Sequence, residues 1–269
     1  MIYDSSKRGN YALDELREVF RYRDLITLLA QRDITTRYKR SVLGIAWTML
    51  NPLGMMIVLS IAFSQIFKDV PGYPAYILSG LIVWQFFSQT TTAAMVNLVW
   101  GGGLLHRIYL PRTSFALAAM ITGVVNLIIA LVPLILVMLV IGLPIRISII
   151  FIPIPILFLT AFALGLGLLL STMAVYFPDV TEMYQIMLAA WMYLTPIFYP
   201  ESILPANIAW YVTRLNPVYH LVRLFRACIY EGRFPYFSEI WPALLFSTVI
   251  LTVGWVIFAR KSDEFSYRI

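Results

Sequence analysis

The chain has 269 residues, 60% of them hydrophobic and 13% charged, with a formal net charge of +6 and a mean hydropathy of +0.80. Soluble domains run about 45–50% apolar and about 25% charged, so a chain this apolar cannot cover its surface in water. The composition excludes a soluble enzyme, a nucleic-acid-binding domain and, with Cys228 as the single cysteine, a secreted disulfide scaffold.

The first forty residues hold no apolar stretch of the kind a cleavable leader needs, and none is expected. Residues 14–40 mix charge with Leu16, Val19, Phe20, Leu25, Ile26, Leu28, Leu29 and Ile34. That pattern predicts an amphipathic helix on the inner leaflet, its basic side wet. The helix, closing on Arg32, Arg37, Tyr38, Lys39 and Arg40, fits either a lipid-surface anchor alone or one that also presents a surface to a cytoplasmic partner.

Uncharged stretches of roughly 18 residues mark membrane spans. They cover 44–67, 75–100, 113–143, 147–177, a shorter 183–199, and 240–259, and predict six helices. The expected organisation is an N-terminal part over 1–43, a six-helix transmembrane domain over 44–260 and a tail over 261–269. The third and fourth stretches would run to about 45 Å as straight helix, so tilt or projection beyond the bilayer is expected. Pro153 and Pro155 predict a kink near the start of the fourth.

With six spans, fourteen of the twenty Lys and Arg residues lie on the side of the termini. The positive-inside rule makes that side cytoplasmic. A tight cytoplasmic turn is expected at Pro178-Asp179. The segment 100–113 mixes Leu105, His106, Arg107 and Arg112, too apolar for a passive linker. The outer loop over 200–239 is also unusually apolar, and Pro205 and Asn216-Pro217 divide it into two short helices expected to dip into the outer leaflet.

The cores of the spans other than the fifth carry no ionisable side chain, which argues against proton- or ion-coupled carriage. His106 and His220 have no metal-ligand spacing, and no GxxxxGK[ST] phosphate loop is present. Asp179 and Glu182 are better explained by helix capping than by catalysis. Aromatic and amide groups remain. Trp47, Trp84, Phe87, Tyr193, Phe198, Tyr199, Trp210 and Tyr211 fit either a headgroup-level aromatic belt or a path on which sugar faces stack. Gln65, Gln85, Gln89, Asn97 and Asn126 fit either helix–helix hydrogen bonding or contacts to sugar hydroxyls. Ala161, Ala163, Gly165, Gly167 and Ser171 predict close helix packing.

The run from Arg32-Asp33-Ile34-Thr35-Thr36-Arg37-Tyr38-Lys39-Arg40 through Gly44-Ile45-Ala46-Trp47, followed by Asn51-Pro52, closely resembles the opening segment of permeases of polysaccharide ABC exporters. Leu110-Pro111-Arg112, Phe177-Pro178-Asp179, Thr195-Pro196-Ile197-Phe198-Tyr199 and Asn216-Pro217 follow in the family's order, over about residues 20–260. The resemblance implies an all-α integral membrane protein of the bacterial plasma membrane, working as a homodimer with two copies of a separate ATP-binding subunit. No cofactor is expected in this chain, since ATP and magnesium would sit on that partner. It further implies that Leu105, His106, Arg107 and Arg112 couple to the ATPase, that the short helices between spans five and six form an outer gate near Tyr199, Trp210 and Tyr211, and that a lipid-linked glycan is the cargo. The residues by themselves leave open an ABC permease for drugs or lipids, or a stand-alone channel or carrier.

Overall fold

The computed structural model describes residues 11–39, 43–100 and 111–267, and among them every regular element is helical. Two helices, α1 (Tyr11–Arg21) and α2 (Arg23–Tyr38), stand where one amphipathic helix was expected. They part at Tyr22, whose φ of −102° and ψ of 21° leave the helical well. Both rest on protein as well as on whatever lies outside. The Trp255 indole donates to the Ala12 carbonyl at 3.1 Å, and Leu29 and Ala30 pack on Ala118.

The remaining helices are α3 (Ala46–Phe63), α4 (Tyr73–Trp100), α5 (Thr113–Ile141), α6 (Pro153–Tyr176), α7 (Val180–Leu194), α8 (Ala206–Leu215), α9 (Pro217–Ile229) and α10 (Phe237–Lys261). Short 3₁₀ turns precede α6 at Ile147–Phe151 and follow α10 at Ser262–Tyr267. Among the described residues, four segments are long and apolar enough to cross a membrane: Ala46–Phe63, Thr113–Ile141, Ile147–Tyr176 and Phe237–Lys261.

Near the start of the fourth stretch, where Pro153 and Pro155 are expected to act, the 3₁₀ turn Ile147–Phe151 gives way to α6. Pro153 opens α6 at its first turn, where the missing N–H is no loss and the fixed φ suits a helix. The fifth stretch is shorter than expected. Its helix α7 stops at Leu194 because Pro196 forces Thr195 into an extended conformation, φ −106° and ψ 129°.

Helix α4 is long, yet Gln85, Ser88, Gln89, Thr90, Thr91, Thr92 and Asn97 keep its hydropathy below that of the four apolar segments. The fold supplies the reason. α4 is the hub of the bundle, touching α3, α5, α6, α7 and α9, so protein surrounds most of it. A helix shielded by neighbours needs less apolar surface than one facing lipid. The small residues do what their spacing predicts, within one subunit. A Cβ on Gly254 would lie 2.1 Å from the Gly165 carbonyl oxygen, and one on Gly165 would lie 2.4 Å from that of Ile250, so α6 and α10 touch backbone to backbone.

Helix α9 corrects the reading of the apolar loop. Val218, Leu221, Val222, Leu224, Phe225, Cys228 and Ile229 are buried in the main core against α4 and α10. Its hydrophobicity thus has a protein partner, whereas α8 keeps Ile208, Trp210, Tyr211 and Leu215 exposed.

Candidate functional site

Gln85, Gln89 and Asn97 lie at intervals of four and eight along α4, which places them on one helix face. That face borders a cavity of about 750 Å³ between α2, α3, α4 and α5. Asn51, Thr48 and Trp47 of α3 close one side, Thr122, Gly123 and Asn126 of α5 the other, and Arg32, Asp33 and Thr36 of α2 stand at the rim. Trp47 is 55% exposed there. The Arg32 guanidinium donates to the Asp33 carboxylate at 2.9 Å, so the charges at the rim cancel. Near Thr90 the walls meet: a Cβ on Gly123 would lie 2.0 Å from the Thr90 methyl carbon.

A second polar region sits at the opposite end of α4. Arg226 of α9 is only 4% exposed. It donates to the carbonyls of Pro196 (2.6 Å), Ile197 (2.6 Å) and Tyr76 (3.2 Å) and to the Ser79 hydroxyl (3.3 Å). Its guanidinium carbon lies 3.7 Å from the centre of the Tyr76 ring. The Tyr73 and Tyr76 hydroxyls donate to the carbonyls of Phe198 (2.6 Å) and Tyr199 (3.0 Å). Asn216 completes the knot. Its side-chain oxygen accepts from the backbone of Val218 and Tyr219 and from the Trp191 indole, while its amide nitrogen donates to Thr195 Oγ1 at 2.9 Å and to the Leu194 carbonyl. The Asn-Pro and Thr-Pro-Ile-Phe-Tyr motifs are therefore one hydrogen-bonded unit.

Beyond this knot, Arg223 and Arg233 share Glu231 and Glu239, the shortest contacts being 2.6 Å from Arg233 to each carboxylate. The hydrogen bonds from Arg233 to Glu239 hold its guanidinium pKa above the ordinary value, with the nearby Glu231 and Glu239 charges adding to them.

The expected aromatics separate into two groups. Trp84 and Phe87 are core residues in this structure. The Phe87 ring is 0% exposed and packs against Trp84, Phe162 and Trp191, so it borders no open path. Trp47, Tyr193, Trp210 and Tyr211 are exposed. Phe198 and Tyr199 are half-buried, and Phe198 stacks edge-on with Tyr193 and Tyr199. Among the amides, Gln85, Gln89, Asn97 and Asn126 meet in the cavity, while Gln65 lies beyond the end of α3 and away from it.

Leu105, His106, Arg107 and Arg40 fall outside the described residues, as do the side chains of Arg37 and Tyr38, whereas Lys39 is exposed at the end of α2. Arg112 lies 5.7 Å from the ring centre of the fully buried Phe265, which also touches Phe258 and Tyr176. Thr113 donates to Glu15, only 2% exposed, at 3.0 Å. The start of α5 is thus held from both ends of the chain. Arg226, Ser79, Glu15 and Phe265 were missed from sequence. The one available signal was a lone arginine inside Leu224-Phe225-Arg226-Ala227-Cys228.

A helical bundle with four segments able to cross a membrane and a polar groove on its central helix fits a membrane-transport protein. The chain belongs to the ABC-2 type transporter family, whose model matches residues 24–230. It is 28% identical over 257 residues to the O-antigen export system permease protein RfbA of Myxococcus xanthus, covering 93% of this chain and 97% of that one. A Klebsiella pneumoniae protein of the same name is 24% identical over 90% of this chain and 94% of its own. The polysialic acid transport protein KpsM of Escherichia coli is 22% identical over 88% of this chain and 93% of its own.

Proposed function

We propose that this chain is the permease subunit of an ATP-driven exporter that carries a lipid-linked polysaccharide, such as O-antigen, capsule or teichoic acid, outward across the bacterial plasma membrane. The observation that carries this reading is the end-to-end alignment with export permeases, covering 93% of this chain and 97% of the Myxococcus xanthus relative. In this reading α4 and α7 join the four apolar segments as six spans. At about 1.5 Å per residue α7 is short for a hydrocarbon core of about 30 Å, and the extended segment after it completes the crossing. Both termini are cytoplasmic, which the excess of Lys and Arg on that side supports. The helices α8 and α9 form an outer gate beside Tyr199, Trp210 and Tyr211.

Two copies form the pore, and each contacts an ATP-binding subunit that supplies the ATP and magnesium sites. The permease has no ATPase of its own, in line with its lack of a phosphate loop. Contact runs through segment 100–113, with Leu105, His106, Arg107 and Arg112, and past the rim formed by Arg32, Arg37, Tyr38, Lys39 and Arg40. Closure of the partner pushes this segment, and the Arg112–Phe265 and Thr113–Glu15 contacts spread the push to α10 and α1. Coupling of this kind requires contacts that differ between closed and open states.

The test is a deletion strain, complemented by the wild-type chain or by Arg107→Glu with Arg112→Glu. Deletion should leave glycan stalled in the cytoplasm. The double variant should reach the membrane at normal levels, co-purify with less ATPase and lose at least tenfold of export. Unchanged export would refute the coupling role, and normal surface glycan in the deletion strain would refute the cargo.

A further inference from the structure

Hydroxyl groups inside the bundle mostly find acceptors. Thr90, Thr91, Thr160, Ser171 and Thr172 each donate to a carbonyl one turn back. Buried polar groups in proteins generally do so, because an unpaired one in a low-dielectric interior costs free energy. Among the described residues the enclosed exceptions, Ser60, Ser114, Thr122 and His220, are scattered, and of these only Thr122 borders the cavity between α2, α3, α4 and α5. The cavity's amides are instead half-buried or exposed and open to its volume. The side-chain amides of Asn51, Gln85, Gln89 and Asn97 have no hydrogen-bond partner among the described residues, and all four line the cavity between α2, α3, α4 and α5. Thr122 in the facing wall is 8% exposed, and its hydroxyl is enclosed without a partner as well.

These walls select an occupant. An acyl chain would leave the amides unsatisfied, so lipid is a poor fit. An ion is a poor fit too, because the charges at the rim, Arg32 and Asp33, neutralise each other. Amides both donate and accept, as do sugar hydroxyls. The exposed Trp47 ring at the mouth of the cavity offers an apolar face for the C–H side of a pyranose. From Asn97 to Gln85 the groove spans about 18 Å along α4, and its volume of about 750 Å³ falls in the range of ligand sites, about 300–1,000 Å³.

We propose that this groove is a binding site, formed inside each single subunit, for neutral sugar units of the transported chain. Gln85, Gln89 and Asn97 hydrogen-bond the hydroxyls, and Trp47 stacks at the mouth. The site rests on the export reading above, and its described lining comes from one chain.

The test uses the full chain with its ATPase in its own host, carrying Cys228→Ala so that no native thiol remains. Single cysteines replace Gln89, Asn97 and, as a control on the apolar groove between α3 and α5, Leu136. Cells are treated with N-ethylmaleimide while making the glycan and again with chain initiation blocked. Gln89→Cys and Asn97→Cys should react at least fivefold more slowly while the glycan is made, with Leu136→Cys unaffected by glycan. Equal rates in both conditions would mean a groove holding only water and would overturn the proposal. No reaction at either position in either condition would mean a groove filled by lipid or closed by a second copy, and would overturn it too. If deletion of the gene stalls the glycan while protection is absent, the groove site fails alone. If deletion leaves surface glycan normal, the export reading fails with it.

Discussion

Helix α4 carries two polar regions that differ in one respect. At its start, Tyr76 and Ser79 meet Arg226 while Tyr73 reaches the Phe198 carbonyl, and each hydrogen bond is closed by a partner elsewhere in the bundle. Further along, Gln85, Gln89 and Asn97 face open volume with their amides unpaired. Polar groups that are satisfied hold a fold together, because removing one partner strands the others in a low-dielectric interior. Unsatisfied groups contribute little to folding and are available to a ligand. Residue type alone does not separate the two regions; the presence of partners does.

Substitutions can break this contrast at either end. Arg226→Ala should have the largest effect, because it strands the carbonyls of Tyr76, Pro196 and Ile197. Each buried acceptor left unsatisfied costs about 1–3 kcal/mol, and three carbonyls are stranded together. Thermal unfolding in detergent should drop sharply, and Arg226→Lys should recover only part of the loss. Phe87→Ala, between the two regions, should cost about 3–5 kcal/mol as a core cavity. Export should then fall only as far as membrane abundance falls, which quantitative blotting against surface glycan would check. An export defect beyond the abundance loss would return Phe87 to the path.

Asn216→Ala should cost about 2 kcal/mol, the upper end for an N-cap, since the same side chain also ties α7 and the 195–199 segment. The smallest stability effect should come from Gln85→Leu with Gln89→Leu. Removing amides that have no partner should shift stability by about 0.5 kcal/mol at most. Export should nonetheless fall about tenfold. A large loss of thermal stability in that double variant would show that the amides belong to the fold, and the contrast would collapse.

Much of the architecture was legible before any fold was known. The apolar stretches at Ala46–Phe63, Thr113–Ile141 and Phe237–Lys261 announce themselves by composition, and Pro205 and Asn216-Pro217 correctly divide the apolar loop into α8 and α9. The glycines of α6 predicted close packing, though not that Gly254 would be the partner of Gly165. The amides were also legible as a group, with four of the five converging and Gln65 standing apart. Trp84 and Phe87 were not, because an aromatic near a span end suits lipid, pore or core equally well until its neighbours are known. The N-terminal helices were read as lipid-bound, yet the buried Glu15 and the contact of Leu29 and Ala30 with Ala118 show faces turned to protein.

Composition and periodicity determined the solvent of this chain, the division of the apolar loop at Pro205 and Asn216-Pro217 and the close packing of α6, because these depend on residues near one another in sequence. Tertiary structure decided which polar groups are spent on the fold and which stay free. Arg226 finds the Tyr76 carbonyl 150 positions away, and Thr113 finds Glu15 98 positions away. Hydrogen bonds are short and directional, so whether a buried donor is satisfied depends on groups that only the folded chain brings within reach.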